Sequence, residues 1–373
     1  MISVLFLIPT LDRGGAENVL VDLVNHMDQN KFRITVQTLF DKDSQKHRLK
    51  EGIEYKSFLY KQFHGNSRIM ARIPAGLLYR IIVRKRYDVV VSYLEGPTTH
   101  IISGCPYADS KKVAWIHSAH DRGRGFSAGF RSKAAAIKVY KELDKIVCVA
   151  KTVKDKIDET AETLFTNSCV LYNTINAQEI LQRSQEELGG FAFPEDEFCI
   201  ISTGKITEVK GYDRLAVVQK KLKEEGYKTH VYILGTGKDK EKIEEYTERN
   251  GIKDSFTFLG FQENPYKYVA KADLFVCSSR REGFSTAVTE ALILGVPVVS
   301  TNCSGAYELL GENNEYGIVT ENDEEALLEG VTIILDDPVL LQKYRIAAKE
   351  RGESFNSEQT VGEVEKMLLQ ICK

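Results

Sequence analysis

The chain has 373 residues, of which 43% are hydrophobic and 28% are charged, which is the composition of a soluble globular protein long enough for two domain cores. No apolar run approaches the roughly 20 residues of a membrane-spanning helix, which argues against an integral membrane protein. The seven cysteines form no C-x-x-C pair and lie mostly in apolar segments. We therefore expect reduced thiols in a cytosolic protein, and neither disulfides nor a zinc site.

Short apolar strands alternate with helical patterns along the whole chain. The predicted strands are 3–9, 32–38, 88–93, 112–116 and 145–150 in the first half, and 198–204, 230–237, 256–260, 274–279 and 296–301 in the second. Helical patterns include 16–27, 132–143, 212–225, 238–250 and 286–294, and further helices follow Gly330. Because wholly apolar strands are typical of parallel sheets covered by helices on both faces, each half predicts a doubly wound α/β domain.

A Gly-Gly pair and a proline interrupt this pattern within 182–196, where the join between the domains is expected. The predicted division gives a first domain, 1–185, and a second domain, 186–356. Ligands of doubly wound sheets bind beyond the carboxyl ends of the strands. The loops that follow the strands are therefore where a functional site is expected.

Two loops of the first half hold candidate residues. Gly14 and Gly15 come directly before the first helix, but they do not form G-x-G-x-x-G and so do not predict a dinucleotide site. Their position permits close approach of the backbone to a ligand. His117 lies just beyond the strand 112–116, where a reacting centre is expected, although a structural histidine fits the same position.

The first half also contains a strongly basic segment. Between Lys61 and Lys141 there are 15 Lys and Arg residues and 4 Asp and Glu residues, although the whole chain has a formal net charge of −3. Such a segment indicates an anionic partner: a membrane surface, a phosphate-bearing acceptor or a nucleic acid. Within it, 66–88 mixes arginine with Ile, Leu and Tyr, which predicts either an amphipathic helix on anionic lipid or an ordinary basic surface helix. No aromatic RNA-recognition signature is present, and no nucleic-acid partner is expected.

In the second half, the loop GKITEVKGYD, 204–213, follows a predicted strand and precedes a helix. It places Lys205 and Lys210 at the carboxyl end of a buried strand. Two ammonium groups there would neutralise a diphosphate and stabilise it as a leaving group. An ordinary basic loop is the alternative interpretation.

The segment SSRREGFSTAVTE, 278–290, is a loop-to-helix junction with an acid on each side. Gly283 permits close backbone approach, and Phe284 and Ser285 precede a helix whose N-terminus favours anions. Glu282 and Glu290 would accept hydrogen bonds from sugar hydroxyls. The junction therefore fits a nucleotide-sugar, which has phosphate at its centre and hydroxyls on both sides. Alternatively, Glu282 caps the helix and Glu290 is solvated.

These motifs resemble those of the family 4 retaining glycosyltransferases, whose GT-B fold has two Rossmann-like α/β domains facing a central cleft. The resemblance rests on E-x7-E, here EGFSTAVTE from Glu282 to Glu290, on G-[RK]-x4-K-G, here GKITEVKG, and on GGAE at 14–17. It covers essentially the whole chain. One departure is Ser285, where many members have glycine; a serine there would cap the helix or contact the donor.

The resemblance implies a role for each candidate residue. Lys205 and Lys210 would bind the diphosphate, Glu290 the ribose hydroxyls, Glu282 the transferred sugar, and the amides of Gly283, Phe284 and Ser285 the sugar and phosphates. Gly15 would approach the phosphates from the first domain, and His117 would lie near the reacting carbon. The expected catalytic residues are thus His117, Glu282 and Lys210. A last helix, about 357–373, is expected to pack on the first domain.

The same resemblance implies the reaction. A hexose or N-acetylhexosamine would move from a nucleotide-sugar, by family frequency a UDP-sugar, with retention of configuration and without a metal or other cofactor. The acceptor would be a glycan or lipid-linked molecule of cell-surface polysaccharide synthesis, and the protein would be cytoplasmic or peripheral at the inner membrane face. A sugar-nucleotide epimerase, a glycan phosphorylase and a non-catalytic protein that binds a membrane surface remain alternatives.

Overall fold

A computed structural model describes residues 1–12, 14–59, 66–118 and 125–373, without the side chain of residue 66. The chain forms two compact units. The first comprises Met1–Ile175 and Ser357–Lys373, and the second comprises Asn176–Asn356. Each unit is built on its own parallel sheet.

The sheet of the first unit has seven strands: β1 (Ile2–Ile8), β2 (Phe32–Phe40), β3 (Glu54–Leu59), β4 (Val89–Ser92), β5 (Lys111–Ile116), β6 (Lys145–Cys148) and β7 (Ser168–Val170). Their order across the sheet is β3-β2-β1-β4-β5-β6-β7. The order reverses between β1 and β4, which pair with Val4 opposite Val89. The loops after these two strands therefore lie at the switch point where doubly wound sheets bind ligands.

In the described part of the first unit, the α-helices that come before the second unit are α1 (Gly15–His26), α2 (Asn66–Met70), α3 (Ala75–Ile82), α4 (Pro97–Ser103), α5 (Lys133–Glu142) and α6 (Lys151–Ala161). They follow the strands in the alternation that the sequence predicts. The prediction of one amphipathic helix within 66–88 is wrong, because Pro74 separates α2 from α3. Proline disfavours helical geometry in the residue before it, here Ile73.

The sheet of the second unit has six strands: β8 (Phe198–Thr203), β9 (Thr229–Leu234), β10 (Phe256–Gly260), β11 (Leu274–Cys277), β12 (Val298–Thr301) and β13 (Ile318–Thr320). Their order is β10-β9-β8-β11-β12-β13. The reversal lies between β8 and β11, which pair with Leu274 opposite Ile200. This pairing brings the two motif-bearing loops of the second half to one edge of the sheet.

The helices of the second unit are α7 (Ala177–Ser184), α8 (Tyr212–Glu224), α9 (Lys240–Arg249), α10 (Tyr266–Val269), α11 (Thr286–Ile293), α12 (Ala306–Leu310), α13 (Glu324–Asp336) and α14 (Pro338–Glu353). The chain then enters α15 (Ser357–Ile371), which belongs to the first unit. There the backbone N–H of Asp28 donates to Glu365 Oε1 at 2.7 Å, and Val364 and Leu368 are buried.

The observed division falls after Ile175, not after residue 185. The reason is that hydrogen bonds of Arg183 attach α7 to the second unit. Its Nη2 donates to the carbonyl of Glu263 at 2.7 Å, and Asn264 Nδ2 donates to the carbonyl of Arg183 at 2.7 Å. The Gly-Gly pair that suggested the later boundary lies in a turn within the second unit.

Both cores consist of aliphatic side chains from the central strands. Val4, Leu5 and Leu7 of β1 are fully buried, as are Ile200 of β8 and Val276 of β11. Burial of one such side chain contributes about 1.5–3 kcal/mol, so the central strands supply much of the stability of each unit.

All ten predicted strands are present, and the two-domain doubly wound fold is confirmed. Strands β3, β7 and β13 were not predicted. Each lies at a sheet edge, and β7 and β13 have only three residues. Edge strands of this kind are short or partly polar, so they lack the apolar run by which buried strands are recognised. Within the described ranges, no helix is both long and apolar enough to cross a bilayer.

Candidate functional site

The candidate site of the second unit forms where the loops after β8 and β11 meet. The backbone N–H of Arg280 donates to the carbonyl of Val209 at 2.7 Å, and Ser278 Oγ donates to the carbonyl of Lys210 at 3.0 Å. Gly211 has φ +67°, and a Cβ at this position would lie 2.0 Å from the carbonyl oxygen of Ser278. Only glycine therefore allows the two loops to approach this closely.

Lys210 and Glu282 are in direct contact at this junction. Lys210 Nζ lies 2.6 Å from Glu282 Oε1, and Ser279 Oγ donates to the same oxygen at 2.6 Å. The two side chains are 26% and 12% exposed. Burial opposes charge on Lys210, but the neighbouring Glu282 carboxylate outweighs it and raises the pKa of the ammonium above its ordinary value. The site therefore holds a charged ammonium, oriented by a carboxylate, at the carboxyl end of β8.

Helix α11 begins at Thr286 and is capped by Ser285, whose side chain accepts a hydrogen bond from the backbone N–H of Val288 at 3.4 Å. Ser285 and Phe284 are buried, and so is Gly283. The alternative in which Glu282 caps this helix is wrong, because Ser285 occupies the N-cap. Glu282 is instead bound to Lys210 and Ser279.

Glu290 lies one turn into α11 and is partly buried. The hydroxyl of Tyr266 lies 3.5 Å from Glu290 Oε1, at the limit of hydrogen-bond distance. The guanidinium carbon of Arg183 lies 5.4 Å from the centre of the Tyr266 ring, a cation–π contact. Glu290 is therefore not simply solvated, since the loop after β10 supplies it with a phenolic neighbour.

Lys205 differs from Lys210. It is exposed, and in the part of the chain that the structure describes no carboxylate lies within ion-pair distance of it. The preceding Gly204 has φ +149°, and a Cβ there would lie 2.9 Å from the hydroxyl of the buried Tyr212. Lys205 thus stands at the same strand end as Lys210 with its ammonium open to an anion from solvent.

In the first unit, His117 follows β5 and contacts the loop after β4. Its backbone N–H donates to Glu95 Oε2 at 2.9 Å, and its ring lies 4.9 Å from that of Tyr93. Burial lowers the pKa of His117 to about 4, although the nearby Glu95 carboxylate opposes the shift. The imidazole is therefore neutral near pH 7. Among the described residues, its buried Nε2 has no hydrogen-bond partner.

Gly15 is the first residue of α1, and Gly14 is the N-cap. The side chain of Glu17 folds back over this turn. It lies so close that a Cβ on Gly14 would be 2.2 Å from Glu17 Oε2. Thr10 Oγ1 donates to Glu17 Oε1 at 3.3 Å. The continuation of the His117 loop, 119–124, and part of the predicted basic segment, 61–65, lie outside the described residues.

The structure thus brings Lys205, Lys210, Glu282, Gly283, Phe284, Ser285 and Glu290 to one edge of the second sheet, and it places Gly15 and His117 in the first unit. Sequence reasoning did not single out the residues that contact these side chains or join the loops that carry them, which are Glu95, Asp213, Tyr266, Ser279 and Arg280. Both Ser279 and Arg280 stand within the predicted motif 278–290; Ser279 contacts Glu282 in the same motif, whereas Arg280 contacts Asp213, 67 positions away. Among the described residues, no group of three or more His, Cys, Asp or Glu side chains is placed to hold a metal ion.

Comparison with protein families gives two matches that between them span most of both halves. A family described as Glycosyl transferases group 1 matches residues 184–351, and one described as Glycosyltransferase Family 4 matches residues 13–179. The division between the matches falls close to the boundary between the two units.

Relatives with named functions include two bacterial glycosyltransferases. Over 202 residues the chain is 32% identical to N-acetylgalactosamine-N,N'-diacetylbacillosaminyl-diphospho-undecaprenol 4-alpha-N-acetylgalactosaminyltransferase of Campylobacter jejuni, covering 54% of this chain and 53% of that protein. Over 168 residues it is 24% identical to the lipopolysaccharide core biosynthesis glycosyltransferase LpsD of Rhizobium meliloti, covering 45% of this chain and 48% of that one. The matched segments thus span about half the length of each relative.

The fold is also shared with solved structures. Anabaena Alr3699/HepE in complex with UDP-glucose superposes with a TM-score of 0.78 at 17% identity, covering 99% of this chain and 100% of that one. At this identity the match establishes a common fold, which is the GT-B arrangement of two parallel-sheet domains.

Proposed function

The chain belongs to the family 4 glycosyltransferases, and on that basis we propose that it transfers a sugar from a nucleotide-sugar to a glycan or lipid-linked acceptor of cell-surface polysaccharide synthesis. Two relatives support this assignment, one named for transfer to a diphospho-undecaprenol-linked glycan and one for lipopolysaccharide core synthesis. The reaction class is the one implied by the E-x7-E and G-[RK]-x4-K-G motifs.

The observation that carries the proposal is the contact between Lys210 and Glu282 at the switch point of the second sheet. Lys210 Nζ lies 2.6 Å from Glu282 Oε1, beside the start of α11. A diphosphate would take the ammonium of Lys210 from Glu282 and gain the exposed ammonium of Lys205. Glu282, released from the ion pair, would then accept hydrogen bonds from the hydroxyls of the transferred sugar. Glu290 would accept those of the ribose.

These groups supply the catalysis that the proposed reaction needs. The acceptor hydroxyl attacks the anomeric carbon, the bond from that carbon to the diphosphate oxygen breaks, and the proton of the hydroxyl leaves with the diphosphate. Negative charge therefore develops on the diphosphate. Lys205, Lys210 and the N-terminal dipole of α11 are already in place to stabilise it, so little reorganisation is required. Attack on the face from which the diphosphate departs gives retention of configuration.

The first unit contributes a neutral histidine to this scheme. The buried Nε2 of His117 has no partner among the described residues, and an unpaired buried nitrogen is costly unless a ligand satisfies it. A sugar hydroxyl is the matching ligand, because neutral imidazole both accepts and donates hydrogen bonds. Its low pKa favours a role in orienting the sugar over a role as cation. Gly15, at the start of α1, is the proposed approach point for a phosphate.

The proposed donor is a UDP-sugar, used without a metal. Support for uridine comes from the fold neighbour HepE, which binds UDP-glucose. The two lysines and the start of α11 provide the positive charge that a divalent cation supplies to diphosphates in other enzymes.

An anionic membrane surface is the proposed location of the acceptor, at the cytoplasmic face. On α3, Leu77, Arg80 and Ile81 lie at spacings of one, three and four residues and form one stripe on the helix, and Arg84 follows two residues after the helix ends. Leu77 and Ile81 are 50% and 42% exposed, and both arginines are exposed. The opposite face is buried through Leu78 and Ile82. Apolar side chains flanked by arginine are suited to the headgroup region of anionic lipid.

The transfer reaction is tested by incubating the protein with UDP-, GDP- and ADP-sugars, with and without polyprenyl-diphosphate-linked acceptor, and measuring nucleoside diphosphate release and product anomers. We expect one donor class to give acceptor-dependent release, an unchanged anomeric configuration and activity in the presence of EDTA. Conversion of donor without acceptor would identify an epimerase, and a requirement for inorganic phosphate would identify a phosphorylase. No reaction with any donor, together with lipid binding, would favour the non-catalytic alternative.

The membrane proposal is tested by sedimentation with phosphatidylglycerol and phosphatidylcholine vesicles. Arg80→Gln with Arg84→Gln should weaken binding to the anionic vesicles at least tenfold, since each arginine near such a surface contributes about 1 kcal/mol. The matched control is Val339→Ser with Ile346→Ser on α14, which removes exposed apolar side chains of the second unit. Equal loss in both variants, or equal binding to both lipids, would reject the proposal.

A further inference from the structure

Arg280 joins the two loops of the candidate site through both its side chain and its backbone. Its Nη1 and Nη2 donate to the two carboxylate oxygens of Asp213, each at 2.7 Å, and Nη1 also donates to the carbonyl of Glu208 at 2.8 Å. Its backbone N–H donates to the carbonyl of Val209 at 2.7 Å. One residue of the β11 loop thus makes four hydrogen bonds to the segment 208–213 that follows β8.

A third loop holds Arg280 from the other side. Asn322, which follows β13, donates through Nδ2 to the carbonyl of Arg280 at 3.2 Å and to that of Asn302 at 3.0 Å. Its Oδ1 accepts from Nη1 of Arg214 in α8 at 2.5 Å. We use the term loop clamp for Asp213, Arg280 and Asn322, which connect the loops after β8, β11 and β13.

The loop clamp contacts the backbone next to both residues of the ion pair, Lys210 and Glu282. Lys210 is the last residue of the 3-10 turn Glu208–Lys210, whose first two carbonyls accept hydrogen bonds from Arg280. Glu282 follows Arg280 by two residues. Any displacement of one loop relative to the other therefore changes the separation of Lys210 and Glu282, and the clamp opposes that displacement.

We infer that Arg280 is a positioning residue for donor binding, which, held by Asp213 and Asn322, keeps the loops that carry Lys210 and Glu282 in the relative position that a nucleotide-sugar diphosphate requires. This inference rests on the proposed function, since it presumes a diphosphate ligand. It adds a role for a residue that touches neither diphosphate nor sugar.

A simple surface ion pair does not account for this geometry. Exposed ion pairs contribute little, and their partners are usually joined by one contact. Here the guanidinium makes a bidentate pair and also binds a main-chain carbonyl, an arrangement that fixes direction as well as distance. Lysine has no planar fork and would not reproduce it.

The same unit offers a matched control. Arg345 Nη2 donates to Asp273 Oδ1 at 2.9 Å, and the two side chains are 33% and 36% exposed, against 27% and 42% for Arg280 and Asp213. Asp273 directly precedes β11, so this pair lies at the amino edge of the sheet, away from the candidate site. Loss of either pair should lower the free energy of unfolding, but only loss of the clamp should weaken ligand binding.

The experiment compares Arg280→Gln, Arg280→Lys, Asp213→Asn and Arg345→Gln with the wild-type chain. UDP affinity is measured by calorimetric titration, the melting temperature by scanning fluorimetry, and kcat and KM for donor and acceptor by transfer assay. We expect both Arg280 variants and Asp213→Asn to raise the Kd for UDP and the donor KM at least fivefold, with acceptor KM unchanged. Arg345→Gln should lower the melting temperature but leave UDP affinity within twofold. The double variant Arg280→Gln with Asp213→Asn should bind UDP no more weakly than either single variant.

Unchanged UDP affinity in a folded Arg280 variant would overturn the inference, and so would an equal loss in Arg345→Gln. If Arg280→Gln does not fold, Arg280→Lys and Asp213→Asn decide the outcome, since both retain side chains of similar size. Failure of the wild-type chain to bind UDP, GDP or ADP would instead overturn the proposed function, and the inference with it.

Discussion

The two units contain the same architectural feature, a reversal of strand order, but they use it for different chemistry. At the reversal of the second unit, the loops after β8 and β11 hold Lys210 and Glu282 in an ion pair and are joined by several hydrogen bonds. In the first unit the reversal lies between β1 and β4, and the loop after β4 meets the loop after β5, which holds the partly buried, neutral His117. The site at one switch point is charged and held by hydrogen bonds, whereas beside the other an imidazole nitrogen has no hydrogen-bond partner among the described residues.

The comparison shows that strand order determines where a site forms, whereas the loop residues determine what it binds. Charged groups held in place before a ligand arrives stabilise a developing charge without reorganisation. A neutral, desolvated imidazole instead selects a polar, uncharged group such as a hydroxyl. The loops of the second unit are thus suited to an anionic group, and His117 of the first unit is suited to an uncharged polar group.

The largest expected effect comes from removing the charge of the second unit. Lys210→Ala should reduce turnover at least tenfold, because loss of one preorganised contact to a developing charge costs about 2–4 kcal/mol. The control is Lys253→Ala, which breaks an exposed ion pair with Glu248 elsewhere in the same unit. Steady-state release of nucleoside diphosphate measures both. Full activity of Lys210→Ala would show that the charge at this site does not contribute to turnover.

The neutral site of the first unit makes a pH prediction. Unfolded His117 takes up a proton near pH 6.5, whereas burial lowers the folded pKa to about 4, so protonation between these values favours the unfolded state. This residue should therefore reduce the free energy of unfolding progressively as pH falls from 6.5 to 4, by about 3 kcal/mol. His117→Gln should remove that part of the pH dependence.

Trp115, the only tryptophan, lies in β5 beside His117 and is buried, so its fluorescence during urea unfolding reports on the first unit. The exposed His47 of the same unit provides the control variant, His47→Gln. If the free energy of unfolding falls equally in wild type and His117→Gln from pH 6.5 to 4, the pKa of His117 is not lowered by folding. The first unit would then not provide a neutral site that differs from the charged site of the second.

The close approach of loops in the second unit is tested by Gly211→Ala. This change imposes a left-handed conformation on alanine and places its Cβ 2.0 Å from the Ser278 carbonyl oxygen. Gly226→Ala imposes a similar backbone penalty at φ +89°, with nothing within 4 Å of its Cβ. Strain of this kind costs about 1–3 kcal/mol, so both variants should be destabilised in thermal unfolding. Only Gly211→Ala should also weaken UDP binding; equal affinities would contradict the role of loop proximity.

The smallest expected effect concerns the cap of α11. Ser285→Ala should lower the stability of the second unit by about 1 kcal/mol through loss of the N-cap, whereas Ser285→Gly should cost only a few tenths. Chemical denaturation of the two variants measures the difference. A loss of donor affinity in Ser285→Gly without a loss of stability would show that this serine contacts the donor and does not act through the helix.

Part of this description could be predicted from sequence and part could not. The buried strands, the loop motifs and the start of α11 were predicted, because apolar runs and glycines are local signals. The edge strands and the break at Pro74 were missed or misjudged, since short polar strands lack that signal and the arginine-rich pattern of 66–88 suggested one continuous helix. Residues Asp213 and Arg280 were passed over because neither is unusual in its own segment.

The sequence by itself determined the fold class, the two sheets and the segments that form the candidate site, because periodicity and turn residues act over a few positions. Only the tertiary structure decided that Lys210 meets Glu282, 72 positions away, and that Asp213 meets Arg280, 67 positions away. The physical reason is the pairing of β8 with β11, which are neighbours in the sheet although two strands separate them along the chain.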